Sequence, residues 1–242
     1  MIYLFTDFGY QGPYVGEIQA LLKRKLTHQQ TTNLMHDAPR FNPRASAYLL
    51  AALAQHFEYG DICMAVVDPG VGNPDRKVVW LEVDGVNYIG PDNGLLSMVA
   101  RRGEDVHCSE VTWRPGSMSS SFHGRDLFAP VTVKVALRER IESEPFALQE
   151  LVGTDWPEDL EEVIYIDHYG NAVTGLRSDH IDENIELQLG EQTLAFARTF
   201  SAVETKQAFW YINSMGLVEI AVNQASAAEK LDLSIGTGLQ RI

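Results

Sequence analysis

The sequence predicts an α/β fold in two parts: an N-terminal layered α/β domain with a mainly parallel sheet, and a smaller C-terminal antiparallel β-barrel. Over residues 1–140, apolar strand-like runs alternate with stretches whose apolar side chains recur at helical spacing, as in layered α/β domains. After residue 161 the segments become short, β-rich and bounded by turn residues, which is typical of small antiparallel barrels or sandwiches. A chain of 242 residues is long enough for both parts.

Strand and helix signals alternate along the first part. Ile2–Thr6 is a short apolar run that predicts a buried strand. Asn42 before Pro43 is a capping signal for a helix, and Asp84-Gly85 is a hairpin signal. The expected elements are, in order, a strand at 2–6, a helix across 15–26, a strand at 31–35, a helix from 42 to about 57, a strand at 61–67, a hairpin of 77–83 with 86–89, a helix after 92 and a helix at 126–138.

An acidic stretch at 141–161 is predicted to link an N-terminal domain, 1–140, to a C-terminal domain, 162–242. Nine acidic residues and one basic residue lie between positions 139 and 162, so more than half of the net charge of −14 is concentrated there. The β-rich segments that predict the barrel follow at 163–167, 172–176, 185–189, 193–197, 208–212 and 217–222.

Composition and charge exclude several classes of protein. No basic patch offsets the acidity, so we expect no nucleic-acid partner. No apolar run reaches the roughly 18 residues of a membrane span, so we expect no membrane partner. Cys63 and Cys108 are too few for a disulfide scaffold, and the scattered histidines show no metal-ligand spacing, so we expect no metal. With no signal-peptide pattern at the N-terminus, a cytoplasmic location is expected.

Two polar clusters follow predicted strands, where α/β proteins keep their sites. Asp7 lies in TDFG after the first strand, where it either binds ribose hydroxyls or caps a helix. Asp68 opens DPGVG, followed by Arg76, where the glycines allow close approach of a ligand or simply form a turn. Neither cluster fits the GxGxxG or GxxxxGK[ST] nucleotide patterns.

Three further clusters have both a chemical and a plain structural interpretation. His123 in SSFHGRD is placed for proton transfer before a helix, or is a structural histidine. The segment 90–96 is a capped helix start or a pocket wall. The segments 167–171 and 213–216, with Asn223, either form turns or bind the edge of a base and the ends of an amino acid. No GxSxG elbow is present, which disfavours a serine hydrolase.

Seven motifs together resemble one family. TDFG, GPYVGEI, VVDPGVG with Arg76, GPDNGLL, SSFHGRDLFAP, DHYGN and NSMGLVEIAVN occur in this order. This set is similar to the S-adenosyl-L-methionine (SAM) hydroxide adenosyltransferases, the adenosine-forming SAM hydrolases, which are relatives of fluorinase and chlorinase. The resemblance implies an N-terminal α/β domain, a C-terminal β-barrel and a homotrimer with sites between the N-terminal domain of one subunit and the C-terminal domain of the next.

The resemblance also implies roles for individual residues. The catalytic set of the family falls on Asp68, Arg76 and His123, and the acid that holds the ribose diol falls on Asp7. The remaining substrate-binding residues are expected to be Phe41, Asp167, Tyr169, Asn171, Ser214 and Asn223. The chain departs from the family at Gly175, where Asn is frequent, at Tyr169, where Phe is commoner, and at Met215, where the halogenases carry Arg.

The reaction implied is hydrolysis of SAM to adenosine and L-methionine, by in-line attack of water or hydroxide on the 5′ carbon. SAM is the small-molecule substrate, and no cofactor is expected. One alternative is a module that binds SAM or adenosine without turnover. A second is a SAM-dependent halogenase, which the carboxylate of Asp68 disfavours because it would repel a halide beside it.

Overall fold

The computed structural model describes all residues, 1–242, and divides the chain into two compact units, Met1–Trp156 and Pro157–Ile242. The acidic stretch predicted as a linker therefore lies largely with the first unit. Its residues Ser143–Pro145 form an edge strand of the first sheet. Charged side chains and a proline are tolerated at a sheet edge, where half of the backbone groups face away from the ladder.

The first unit is built on a seven-stranded sheet of order β2-β1-β3-β5-β4-β6-β7. The pairs β2–β1, β1–β3 and β3–β5 are parallel. The pairs β5–β4, β4–β6 and β6–β7 are antiparallel. The sheet is therefore mixed rather than mainly parallel, because the Asp84-Gly85 hairpin reverses the chain within it. The strands are β1 (Ile2–Thr6), β2 (Thr31–Met35), β3 (Ile62–Val66), β4 (Val78–Val83), β5 (Val86–Pro91), β6 (Val106–Val111) and β7 (Ser143–Pro145).

Four α-helices accompany this sheet, and their boundaries follow local chemistry. The side chain of Asn42 accepts a hydrogen bond from the backbone N–H of Ala45 at 3.0 Å, as its capping position predicts. The helix expected at 126–138 begins instead with a π-helical turn, Gly124–Phe128, directly after His123. The helices are α1 (Tyr14–Lys25), α2 (Pro43–Ala54), α3 (Ser97–Arg102) and α4 (Ala129–Ala136).

The second unit consists of two antiparallel sheets, one of four strands and one of three. All six predicted β segments are present. Two isolated bridges, Glu162–Gly238 and Phe196–Trp210, each join a strand of the four-stranded sheet to a residue outside the named strands. The antiparallel architecture is confirmed, and closure into a barrel stays a prediction. The elements are β8 (Leu160–Ile166), β9 (Ala172–Arg177), β10 (Leu187–Leu189), β11 (Gln192–Leu194), β12 (Ala208–Ile212), β13 (Leu217–Val222), α5 (Ala227–Lys230) and β14 (Gln240–Arg241).

The parallel part of the first sheet positions the polar motifs. Strands β1, β3 and β5 run in the same direction, so the loops that follow them leave the sheet at the same edge. The loop after β1 carries Asp7, and the loop after β3 carries Asp68. The loop after β5 begins at Asp92.

Candidate active site

Asp7 lies at the end of β1 and holds the loop that carries Phe41. Its Oδ2 accepts a hydrogen bond from the backbone N–H of Phe41 at 3.1 Å. Burial raises the pKa of the Asp7 carboxyl, and the nearby charge of Asp68 adds to the rise, while the Phe41 N–H and Arg40 oppose it. Phe41 itself has a left-handed backbone, with φ of 58°, and its ring is 74% exposed. Asp7 and Phe41, both expected to bind substrate, are thus neighbours.

Asp68 forms a buried ion pair with Arg76. The side chain of Asp68 is 3% exposed, and its Oδ1 lies 3.4 Å from Nε of Arg76 and accepts the Gly70 N–H at 3.1 Å. The other oxygen, Oδ2, is buried and has no hydrogen-bond partner in the protein. A carboxylate accepts hydrogen bonds at both oxygens, so Oδ2 has acceptor capacity that the protein does not use.

The Arg76 guanidinium is fixed from two sides. Its Nη1 donates to the backbone carbonyl of Asp92 at 2.9 Å, which joins it to the loop after β5. A Cβ on residue 70 would lie 2.5 Å from Arg76 Nη2, so glycine at this position allows the guanidinium to approach the backbone. The side chain of Asn93 donates to the carbonyl of Val67 at 2.8 Å and fixes the end of β3.

His123 faces the same region from the polypeptide before the π-helical turn. It is 9% exposed and lines a cavity of about 280 Å³ together with Arg76 and Arg114. Gly72 lies against the backbone carbonyl of Ser120, where a Cβ would approach to 2.6 Å, so the two motifs pack closely. The structure therefore brings together the three residues expected to be catalytic: Asp68 pairs with Arg76, and Arg76 shares a cavity with His123.

An aromatic cluster connects the Asp7 loop to the His123 segment. The ring of Phe8 lies 5.9 Å from that of Phe122, which in turn lies 5.1 Å from that of Tyr14. A Cβ on Gly124 would lie 2.9 Å from Cζ of Phe8. These contacts place the residues flanking Asp7 and His123 against each other, so a shift of one loop would displace the other.

A second candidate pocket lies in the second unit, with a volume of about 640 Å³. The Asp167 carboxylate shapes its rim: Oδ1 accepts the backbone N–H groups of Tyr169 at 2.9 Å and Asn171 at 2.8 Å. Its Oδ2 accepts the side-chain amide of Asn171 at 3.0 Å. The pocket is lined by Asp167, Tyr169, Asn171, Phe200, Tyr211, Val222, Gln224, Ala225 and Ser226.

Neither a metal centre nor a membrane-spanning helix is found. No group of three or more His, Cys, Asp or Glu side chains is arranged to hold a metal ion. None of the helices combines the length and the apolar character that crossing a bilayer requires.

The two units correspond to two known domains. Residues 2–144 match the model of the SAM hydroxide adenosyltransferase N-terminal domain, and residues 161–240 match that of its C-terminal domain. The chain belongs to the SAM hydroxide adenosyltransferase family. This confirms the family that the seven motifs indicated.

Named relatives agree with this family. A protein of Thermus thermophilus named (R)-S-adenosyl-L-methionine hydrolase is 33% identical over 97% of this chain and 96% of its own length. A fluorinase of Actinopolyspora mzabensis is more distant, 24% identical over 99% of this chain and 96% of its own. The crystal structure of an uncharacterized conserved protein from Thermotoga maritima superposes with a TM-score of 0.88 and 27% identity, over 100% of both chains.

Two residues expected to bind substrate in this SAM hydroxide adenosyltransferase do not line the second pocket. Ser214 is exposed on the turn between β12 and β13. Asn223 donates its side-chain amide to the carbonyl of Val203 at 2.8 Å, which gives it a role in holding a loop. Their roles as ligands to the substrate stay predictions.

Two other residues of the second unit were missed by sequence reasoning. Tyr211 lines the pocket and lies opposite Glu219 on the neighbouring strand. Glu219 is a charged residue within β13, LVEIAV, whose other residues are all apolar and buried. That position was the signal in the sequence, because an acid in a buried strand requires partners.

Proposed function

We propose that this enzyme hydrolyses S-adenosyl-L-methionine to adenosine and L-methionine, and that it takes the (R) epimer specified in the name of its relatives. The observation that carries the proposal is the buried Asp68–Arg76 pair beside His123, with Asp68 Oδ2 free to accept a hydrogen bond. Such a set suits the orientation and deprotonation of a water molecule.

The substrate provides its own leaving group. A water oxygen forms a bond to the 5′ carbon while the carbon–sulfur bond breaks, and the electron pair passes to the sulfonium, which leaves as the neutral thioether of methionine. The leaving group needs no proton, so acid–base chemistry acts on the water alone. Asp68 accepts a hydrogen bond from that water and His123 takes up its proton. Arg76 holds Asp68 in place.

Positioning provides much of the rate. The water oxygen must lie about 3–3.5 Å from the 5′ carbon and in line with the carbon–sulfur bond. Asp7 is suited to bind the ribose diol, since a carboxylate accepts two hydrogen bonds. The pocket of the second unit, with the Asn171 amide and the Tyr169 and Tyr211 rings, is suited to a purine base.

Separation of the products distinguishes this reaction from the two alternatives. The enzyme is incubated with each sulfonium epimer of SAM, with and without halide, and the mixture is resolved by chromatography. Adenosine with methionine indicates the hydrolase, whereas bound, intact SAM indicates a binding module. A 5′-halo-adenosine that forms only with halide would indicate a halogenase, which the buried carboxylate of Asp68 disfavours.

We further propose a homotrimer whose sites combine the first unit of one subunit with the second unit of the next. Two features support it: the candidate residues divide between the two units, and Phe41 and Tyr169 expose 74% and 76% of their surface. The free thiols Cys63 and Cys108 are compatible with a reducing cytoplasm, which we propose as the location.

Mixed subunits test the shared site. Light scattering should give the mass of three chains of 27.0 kDa. Inactive Asp68→Asn and Asn171→Ala chains are then co-assembled. If each site draws on two subunits, about one quarter of the sites in a random mixture are intact and activity returns. A mixture as inactive as its parents would contradict a shared site.

A further inference from the structure

Glu219 is a buried acid that the proposed reaction does not use. It lies in the middle of β13 and is 5% exposed. Burial raises the pKa of its carboxyl, and the nearby Asp167 adds to the rise, while hydrogen bonds from Tyr211 and Asn213 oppose it. An acid in such a position destabilises the fold unless its oxygens are paired, so its partners indicate why it is there.

Each oxygen of Glu219 accepts a hydrogen bond from a different part of the second unit. Oε1 accepts the hydroxyl of Tyr211, which lies directly opposite on β12. Oε2 accepts the side-chain amide of Asn213 at 2.8 Å. The two donors thus bind separate oxygens of one carboxylate.

The two donors belong to different candidate subsites. Tyr211 forms a wall of the pocket that holds Asn171, where we placed the base. Asn213 fixes the turn that carries Ser214: its Oδ1 accepts the N–H groups of Met215 at 2.9 Å and Leu217 at 3.1 Å. Because Oδ1 is engaged with the turn, Nδ2 is left to face Glu219.

We propose that Glu219 is a positioning residue that fixes the base-stacking Tyr211 and the 213–216 turn relative to each other. This inference rests on the proposed function, because it assigns the adenine base to Tyr211 and the methionine end of SAM to the 213–216 turn. Glu219 touches no substrate. It acts by holding two groups that do, so its loss weakens binding and leaves the chemical step at Asp68 unchanged.

Two substitutions at the same position separate geometry from charge. Glu219→Gln keeps both hydrogen bonds, because its amide N–H can donate to the Tyr211 oxygen and its carbonyl can accept from Asn213. Glu219→Leu has a similar volume and keeps neither. We expect Glu219→Leu to raise the KM for SAM and the Kd for adenosine about tenfold, with kcat within about threefold, and Glu219→Gln to restore both.

Two milder variants separate the two arms and remain informative if Glu219→Leu does not fold. Tyr211→Phe removes only the base-side hydrogen bond and should raise the Kd for adenosine. Asn213→Ala removes the turn-side bond to Glu219, together with the two hydrogen bonds that Asn213 Oδ1 accepts within the turn, and should raise the KM for SAM while leaving adenosine binding unchanged. Thr174→Val is the matched control, since its buried hydroxyl donates to the carbonyl of Val218 in the same sheet, away from the pocket.

The outcomes decide between this role and a general structural one. The inference is wrong if the Glu219→Leu and Tyr211→Phe variants have the same Kd for adenosine as the Thr174→Val control. It is also wrong if Glu219→Gln raises this Kd as much as Glu219→Leu does. Adenosine binding is measured by calorimetry without turnover. If the wild-type protein binds adenosine but leaves SAM intact, the proposed hydrolysis is wrong and the positioning role of Glu219 still stands. If the wild-type protein binds no adenosine, both proposals are wrong.

Discussion

Oδ1 of Asp68 lies 3.4 Å from Nε of Arg76, and the other carboxylate oxygen, Oδ2, has no hydrogen-bond partner in the protein. The pair is held on the Arg76 side by the carbonyl of Asp92 and on the Asp68 side by the N–H of Gly70. A buried and half-engaged acceptor calls for an explanation, and we propose that it binds the attacking water.

Removal of the Asp68 charge should slow turnover without weakening the binding of product. Asp68→Asn keeps the size of the side chain and the acceptor for the Gly70 N–H, but it loses the ability to orient and polarise water. We expect kcat to fall by about 10²–10⁴-fold, the usual contribution of general-base help, and the Kd for adenosine to stay within about threefold. Steady-state kinetics with calorimetry measure both quantities, and a kcat near that of wild type would remove Asp68 from the mechanism.

The geometry of the Asp68–Arg76 ion pair can be changed without substituting either residue. In Gly70→Ala the added Cβ would meet Arg76 Nη2 at 2.5 Å, so the guanidinium must move away from Asp68. We expect kcat to fall at least tenfold, and we expect some loss of stability as well, because the displaced guanidinium is the ion-pair partner of the buried Asp68. Gly116→Ala is the control, since nothing lies within 4 Å of its added Cβ. Equal kinetics for the two variants would contradict the positioning of Arg76.

Asp167 should determine which purine the second unit prefers. Its Oδ2 accepts the Asn171 amide N–H, which leaves the Asn171 carbonyl as an acceptor for the 6-amino group of adenine. In Asp167→Asn that constraint is lost, and Asn171 can turn its amide outward toward a 6-oxo group. We expect the wild-type preference for adenosine over inosine to fall at least about tenfold. The ratio of the two dissociation constants is the readout, and a ratio unchanged by the substitution would show that Asp167 does not orient Asn171.

His36 should make the protein less stable in acid. Its Nδ1 is hydrogen-bonded to Thr6 Oγ1 at 2.7 Å, and burial lowers the pKa of its imidazole, while the nearby Asp37 opposes the shift. Below about pH 6.5 the unfolded chain takes up a proton that the folded chain resists, so stability falls as the pH falls. Above that pH both forms are neutral and His36 adds no pH dependence.

The measurement is urea unfolding of wild type and His36→Gln across that pH window. We expect the free energy of unfolding of wild type to fall more steeply between about pH 6.5 and 5, because the glutamine does not titrate. Parallel curves for the two proteins would mean that His36 is protonated equally in the folded and unfolded states.

Much of the fold could be predicted because its signals are local. The apolar runs of β1 and β3, the cap at Asn42 and the Asp84-Gly85 turn each define an element by their own chemistry. The antiparallel pairing of β4 with β6 and of β6 with β7 could not be read in this way, since it depends on which strands become neighbours. The edge strand Ser143–Pro145 and the last strand, Gln240–Arg241, were missed because their side chains are largely exposed and carry no hydrophobic pattern.

The candidate site likewise contains residues that the sequence indicates and residues whose contacts only the structure shows. Asp7, Asp68 and His123 stand in recognisable motifs after strands or before a helix, so their neighbourhood could be anticipated. Glu219 and Tyr211 could not be paired from sequence, because their contact depends on the register between β12 and β13. The free oxygen of Asp68 is likewise a property of the packed structure, which leaves one lone-pair direction without a donor.

The central claim is that an oxygen atom from water ends on the 5′ carbon of adenosine. The direct test is a single incubation of the enzyme with SAM in H₂¹⁸O, followed by mass spectrometry of both products. We expect adenosine with one ¹⁸O at its 5′ oxygen, formed in equal amount with unlabelled methionine. Unlabelled adenosine, or label found instead in a product of the amino-acid side chain, would contradict attack by water at the 5′ carbon.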